Sequence, residues 1–439
     1  MSCLLTRVVA LAALLLTASA AHAATELVLW HAMPGKLGQW VEDLAAGFNA
    51  RQAEYVVVPV YKGSYPDTMA AALAAAKAGT PPHAVQVFEV GTATMMAAKG
   101  MVRPVHQVMG LLGRPFDDRA YMPAVTLYYS SQDGRLLSMP LNSSTPVLFY
   151  DRTAFAAAGL DPEVPPRTWP EMEQVALALL KNGARCGFTS QWQSWIQLEN
   201  LSAWHDVPFA TKQNGIGGYD IELKFNSPFH VHHVAQLAKW TRNRVFVPHG
   251  HRDEALSKFT SGECPMLFGS SASYAELKAR PDGDRVGIGM LPTWPEVQWA
   301  PRNSIIGGAT LWVMNGHPER DYLGLARFFE YLSEPEIQAA SHQRTGYLPI
   351  TREAYSLSRR QGFYAANPDA EIAIKQITLH RPTEHSKGVR LGNFVPIRDI
   401  IDEELDAVWA GRKDAATALN EAVRRGNDLL RKFNRDQGN

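Results

Sequence analysis

The segment that opens with Glu26-Leu-Val-Leu-Trp30 and runs on to Glu89 decides how this chain folds. Its first apolar run reads as a buried strand. Leu37, Trp40, Val41, Leu44 and Phe48 then recur at spacings of three and four, the period of a helix with one apolar face. Tyr55-Val-Val-Val-Pro-Val-Tyr61 is β-branched and aromatic, a second strand. An alanine-rich helix follows over 68–78, and Ala84-Val-Gln-Val-Phe-Glu89 is a third strand. Strand and helix alternating through short connectors predict an α/β fold with an open, mainly parallel sheet. Such sheets bind ligands beyond the carboxyl ends of their strands, where Tyr65 and Glu89 fall.

Further along, Pro140-Leu-Asn-Ser-Ser-Thr-Pro146 breaks the pattern with polar turn residues and suggests a crossing between lobes. Val147–Tyr150 restarts as a strand. Thr168-Trp-Pro-Glu171 combines an N-cap threonine, a first-turn proline and a glutamate at the third helical position, a capping box. A second alternation continues to about residue 300, and Ile305–Val313 reads as a strand returning to the first lobe. The expected division is 24–140 with 302–345 as the N-terminal lobe, and 141–301 with 346–439 as the C-terminal lobe.

Two lobes also suit the length, since 439 residues exceed what one core commonly serves. Lys and Arg number 43, as do Asp and Glu, and this balance argues against the basic surface of a nucleic-acid binder. Met1–Ala23 carries Arg7 as its single charge, an apolar run from Val8 to Ala20 and the small-x-small site Ala21-His22-Ala23. It reads as a signal peptide cleaved near Ala23, and the run is too short to span a bilayer. Export would place Cys186 and Cys264 in an oxidising compartment, as a disulfide or as two separately buried thiols.

An exported enzyme needs a nucleophile, an acid/base pair or a metal. No GxSxG, HExxH or P-loop is present, and Gly269-Ser270-Ser271 lacks the second glycine of a nucleophile elbow. His230, His232 and His233 read as a solvated helix surface, so no metal, no cofactor and no turnover are expected. What remains is suited to recognition. Trp192 and Trp195 flank a Gln/Ser-rich segment, as ligand walls or as core. Ser144 and Ser270 offer hydroxyls, Gly307 a backbone N–H, Tyr347 a phenol, and Arg398 a planar two-pronged donor for phosphate or carboxylate. This set suggests a two-lobed solute receptor.

Trp30-His-Ala-Met33, Tyr61-Lys-Gly-Ser-Tyr65, Val85–Met96, Asn142-Ser-Ser-Thr-Pro146, Trp192–Asn200, Ile305–Ala309, Thr345–Ile350 and Arg390–Asn393 resemble segments of the periplasmic glycerol-3-phosphate-binding proteins. These are a branch of the large two-lobed solute-binding family that includes the maltose-binding proteins. The resemblance runs to Phe433. It implies a periplasmic-binding-protein fold with a ligand cleft between lobes joined by a multi-strand hinge. It also implies delivery to an ABC permease with a cytoplasmic ATPase, by a monomeric receptor in the periplasm. Carried over position by position, it names Tyr65, Glu89, Ser144, Trp192, Trp195, Ser270, Gly307, Tyr347 and Arg398 as ligand contacts. Arg398 would then supply charge to the phosphate, the hydroxyls and the Gly307 N–H further donors, Glu89 acceptors for glycerol hydroxyls, and the indoles the walls. Glycerophosphodiesters such as glycerophosphocholine fit the same set. A neutral-sugar receptor and an exported glycerophosphodiesterase are the alternatives.

Overall fold

The computed structural model describes residues 23–218 and 220–437. The expected signal peptide lies outside these residues except for its last one. The strands are β1 (Thr25–His31), β2 (Tyr55–Tyr61), β3 (Ala84–Phe88), β4 (Val102–Arg103), β5 (Met139–Ser144), β6 (Pro146–Asp151), β7 (Phe188–Ser190), β8 (Met266–Ser270), β9 (Val286–Gly289) and β10 (Gly307–Met314). They form two sheets, as a two-lobed α/β fold requires.

The first sheet has the order β2-β1-β3-β10-β4, with β5 also paired to β10. β1 runs parallel to β2 and β3, but β10 is antiparallel to β3, β4 and β5. The second sheet, β7-β8-β6-β9, has β6 antiparallel to both neighbours and β7 parallel to β8. The expected mainly parallel sheet is thus confined to β1–β3. The reason is topological: β10 enters the first sheet on the way back from the second and meets it head to tail.

Each sheet is held by helices whose apolar faces were visible in the spacing. Trp40, Val41, Leu44 and Phe48 of the Gly35–Asn49 helix are buried. The Tyr65–Lys77 helix starts at a capping box made by Ser64 and Asp67, with Pro66 in its first turn. That cap fixes Tyr65 at the carboxyl end of β2. Thr168 and Glu171 form the predicted box for Trp169–Lys181. The Phe394–Trp409 helix packs on Ala415–Asp436, on Pro228–Arg242 and on the turn Glu89–Gly91 that follows β3.

Only Thr145 separates β5 from β6, so the chain crosses between sheets there. Its hydroxyl donates to Ser304 Oγ at 2.6 Å, tying this crossing to the returning one. Cys186 and Cys264 form a disulfide with their Cα atoms 4.8 Å apart. His230 and His233 are fully buried, contrary to the solvated reading. Burial keeps these rings neutral, and their nitrogens are satisfied by polar partners: His230 lies between Ser202 and Ser227 at 2.8 and 2.7 Å, and His233 accepts from Trp294 Nε1 at 3.2 Å and faces Gln197 Oε1 at 3.1 Å. Among the described residues no helix is long and apolar enough to cross a membrane.

Candidate functional site

Tyr65 and Tyr347 come together at one side of the site. The Tyr65 hydroxyl accepts from Asn142 Nδ2 at 3.0 Å, and Asn142 Oδ1 accepts from Gln86 Nε2 at 2.8 Å. The Tyr65 ring stacks on Phe88 with centroids 5.2 Å apart. Tyr347 follows Gly346, whose φ of +78° ends the Pro335–Thr345 helix and turns the phenol inward. Burial first, then the neighbouring Tyr347, push the Tyr65 hydroxyl well above its usual range, so both phenols stay protonated donors.

Glu89 and Arg398 meet in an ion pair that joins the turn after β3 to the Phe394–Trp409 helix. Arg398 Nη2 donates to Glu89 Oε1 at 2.9 Å. Glu199 grips the same guanidinium from the other side, accepting from Nε at 2.7 Å and from Nη2 at 2.8 Å. All three residues are buried. Burial alone would disfavour the charge on Arg398, but Glu199 and Glu89 more than offset it and hold its pKa above the ordinary arginine value. Burial pushes the Glu89 carboxyl up, and Arg398 pulls it back only in part.

Ser144 and Gly307 stand opposite each other on β5 and β10. The Trp195 ring fills the space where a Gly307 side chain would lie. Trp195 opens a π-helical turn, Trp195–Asn200, a wider winding that often marks function. Among the described residues its buried indole N–H has no acceptor. A buried donor left so is costly, by about 1–3 kcal/mol, and is available to a bound acceptor.

Trp192 and Ser270 belong to a third group. Trp192 is half-buried, has a left-handed φ of 42°, and donates from Nε1 to Asp253 Oδ1 at 2.7 Å. A non-glycine residue in that region needs its surroundings to hold it there. Gln191 Oε1 accepts from the Ser270 N–H at 3.1 Å. The Ser270 hydroxyl accepts from Ala272 N at 3.3 Å, capping the turn after β8. An open cavity of about 640 Å³ beside Trp299 and Arg302 is lined by none of these residues.

The sequence reading missed Glu199, Asn142 and Asp253. For Glu199 a signal was present: a carboxylate inside the apolar helical run from Trp195 to Trp204 demands a cation once buried. Which cation depends on the fold.

Hydroxyls, phenols, indoles and one held arginine, carried by strands of both sheets and by the segments between them, are groups suited to recognition. This is the arrangement of a solute-binding receptor. The chain belongs to the bacterial extracellular solute-binding proteins, whose family profile matches residues 43–372. It is 48% identical over 414 residues to the sn-glycerol-3-phosphate-binding periplasmic protein UgpB of Escherichia coli K12, covering 94% of each chain. Over 423 residues it is 48% identical to the protein of the same name from Yersinia pseudotuberculosis, covering 96% of each. Among solved structures, UgpB from Mycobacterium tuberculosis in complex with glycerophosphocholine has a TM-score of 0.78 at 20% identity, over 93% of this chain and 99% of that one. The maltose-bound MalE3 of T. maritima has a TM-score of 0.75 at 16% identity, over 92% of this chain and 100% of that one.

Proposed function

We propose that this protein is a periplasmic receptor that captures sn-glycerol-3-phosphate and delivers it to an ABC permease driven by a cytoplasmic ATPase. Near-full-length identity of 48% to receptors of that name carries the reading. The buried Arg398, accompanied by hydroxyl and phenol donors, supports a phosphate ester over a neutral sugar. Tyr65, Glu89, Ser144, Trp192, Trp195, Ser270, Gly307, Tyr347 and Arg398 are the proposed contacts, on lobes divided at the Thr145 crossing and the return into β10. The receptor works as a monomer, without cofactor and without turnover, after its leader is removed near Ala23. Ligand closes the lobes, and the closed surface is what the permease reads.

A glycerophosphodiester is the second reading. Trp192 is half-buried beside Asp253, a face and a carboxylate that suit a cationic head group. The test is a calorimetric titration of protein purified from the periplasm, freed of bound ligand by unfolding and refolding. Glycerol-3-phosphate, glycerophosphocholine and maltose are added in turn. Heat from the esters and none from maltose is the expected result. Heat from maltose alone overturns the proposal, and release of free phosphate or free glycerol-3-phosphate from the diester would make the protein an enzyme.

A further inference from the structure

Of the five N–H groups of Arg398, Glu199 holds one on Nε and one on Nη2, and Glu89 holds the other on Nη2. Among the described residues none accepts from Nη1. A phosphate gripped by two prongs needs two N–H groups on one edge. The Nε edge belongs to Glu199, and the Nη1–Nη2 edge is complete only if Glu89 lets go.

Charge points the same way. Two carboxylates and one guanidinium sum to −1 before any anion arrives. Glu89 faces Arg398, Glu199 and the phenols of Tyr65, Tyr128 and Tyr129, none of which brings a second positive charge. One turn along the helix from Arg398 stands Asp402, and beyond it His251 is committed to Asp406 at 2.7 Å. Glu199 is 1% exposed and Glu89 4%, so water screens neither well. An anion added to this cluster needs a cation from outside, and the smallest is a proton.

We propose that Glu199 is the fixed positioning residue for Arg398 and Glu89 the exchangeable one: an arriving phosphate ester takes over the Nη2 bond, and Glu89 takes up a proton from solvent. Protonated, Glu89 can donate one hydrogen bond and still accept from a glycerol hydroxyl. The inference rests on the phosphate-ester reading above. It adds that binding is linked to proton uptake, so affinity falls as pH rises.

The test is calorimetry at one pH in two phosphate-free buffers of low and high ionisation enthalpy, with glycerophosphocholine, whose phosphodiester keeps one charge near neutrality. Where only glycerol-3-phosphate gives heat, the comparison is made above pH 8, where its phosphate is fully ionised. The expected result is a buffer-dependent heat approaching one proton taken up per ligand. Across the pH range in which that uptake occurs, Kd should rise by up to about tenfold per pH unit. Glu89→Gln should abolish the buffer dependence, while Glu199→Gln keeps it and binds more weakly. Buffer-independent heat from the unsubstituted protein overturns the exchange and leaves the receptor standing. No heat from either ester overturns both. The unsubstituted protein decides alone if a variant fails to fold.

Discussion

A β-carbon built on Gly307 would lie 2.7 Å from Cζ2 of the Trp195 indole and 3.0 Å from Cε2. Pairing with Ser144 of β5 holds the backbone there, so the ring must move. Overpacking of this kind costs about 1–3 kcal/mol. Gly307→Ala is therefore expected to lower the melting temperature by a few degrees and to raise Kd for glycerol-3-phosphate about tenfold. Titration and thermal unfolding check it. An unchanged Kd beside a lowered melting temperature would leave the indole a core residue outside the site.

Arg398→Ala removes the guanidinium that pairs with both Glu89 and Glu199. Breaking a buried pair by deleting one partner costs about 3–5 kcal/mol, and phosphate-ester affinity should fall more than tenfold. The pH dependence has a definite sign. Left unpaired, the buried Glu89 carboxyl has a folded-state pKa above its unfolded one, so the folded variant binds this proton more readily than the unfolded chain. The variant's stability deficit against the unsubstituted protein is full above that raised value and shrinks as pH falls through it. Urea melts at pH 8 and pH 5 measure that deficit, and a constant one would mean that the carboxyl finds another partner.

Buried histidines give the unsubstituted protein an acid limit. Burial lowers His205 to about 4 and His230 to about 3, and places His233 well below the ordinary value. The unfolded chain takes up protons first, near pH 6.5, so stability is full above that pH and is lost as pH falls toward the folded values. Three such groups give a slope of up to about 4 kcal/mol per pH unit below pH 6. Denaturant midpoints at pH 7, 6 and 5 test this. A flat profile would place these rings in water after all.

The alternating elements from β1 to Glu89 were legible because their periods are local: three and four for the helix, β-branched runs for the strands. The antiparallel β10 was not, because the direction in which a returning strand meets a sheet depends on where the chain has been. In the site, Tyr65 and Glu89 could be placed at strand ends from spacing alone. Glu199 could be noticed as a charge in an apolar run, but its grip on Arg398 joins residues 199 positions apart. His230 and His233 were misread because HxHH looks polar whichever way the helix faces. Ser227 stands at the N-cap of their own helix, but Ser202 and Gln197 come from the Trp195–Trp204 run and Trp294 from beyond β9, which spacing along the helix does not show.

The Cys186–Cys264 disulfide closes a loop of 78 residues and ties the approaches to β7 and β8, which run parallel. In the chain-entropy account a loop of that length is worth about 4 to 5 kcal/mol of stability, through the unfolded chain it restricts. The bridge sits at the start of these strands, while Ser270 is the last residue of β8 and Trp192 lies just past the end of β7. Reduction, or Cys186→Ser with Cys264→Ser, is therefore expected to lower the unfolding free energy by about 2–5 kcal/mol. Kd at 25 °C should stay within twofold. Paired denaturant melts with and without reductant measure the first quantity and calorimetry the second. A large loss of affinity with little loss of stability would mean that the bridge aligns the ligand-facing ends of β7 and β8, and that the entropic account of its role is wrong.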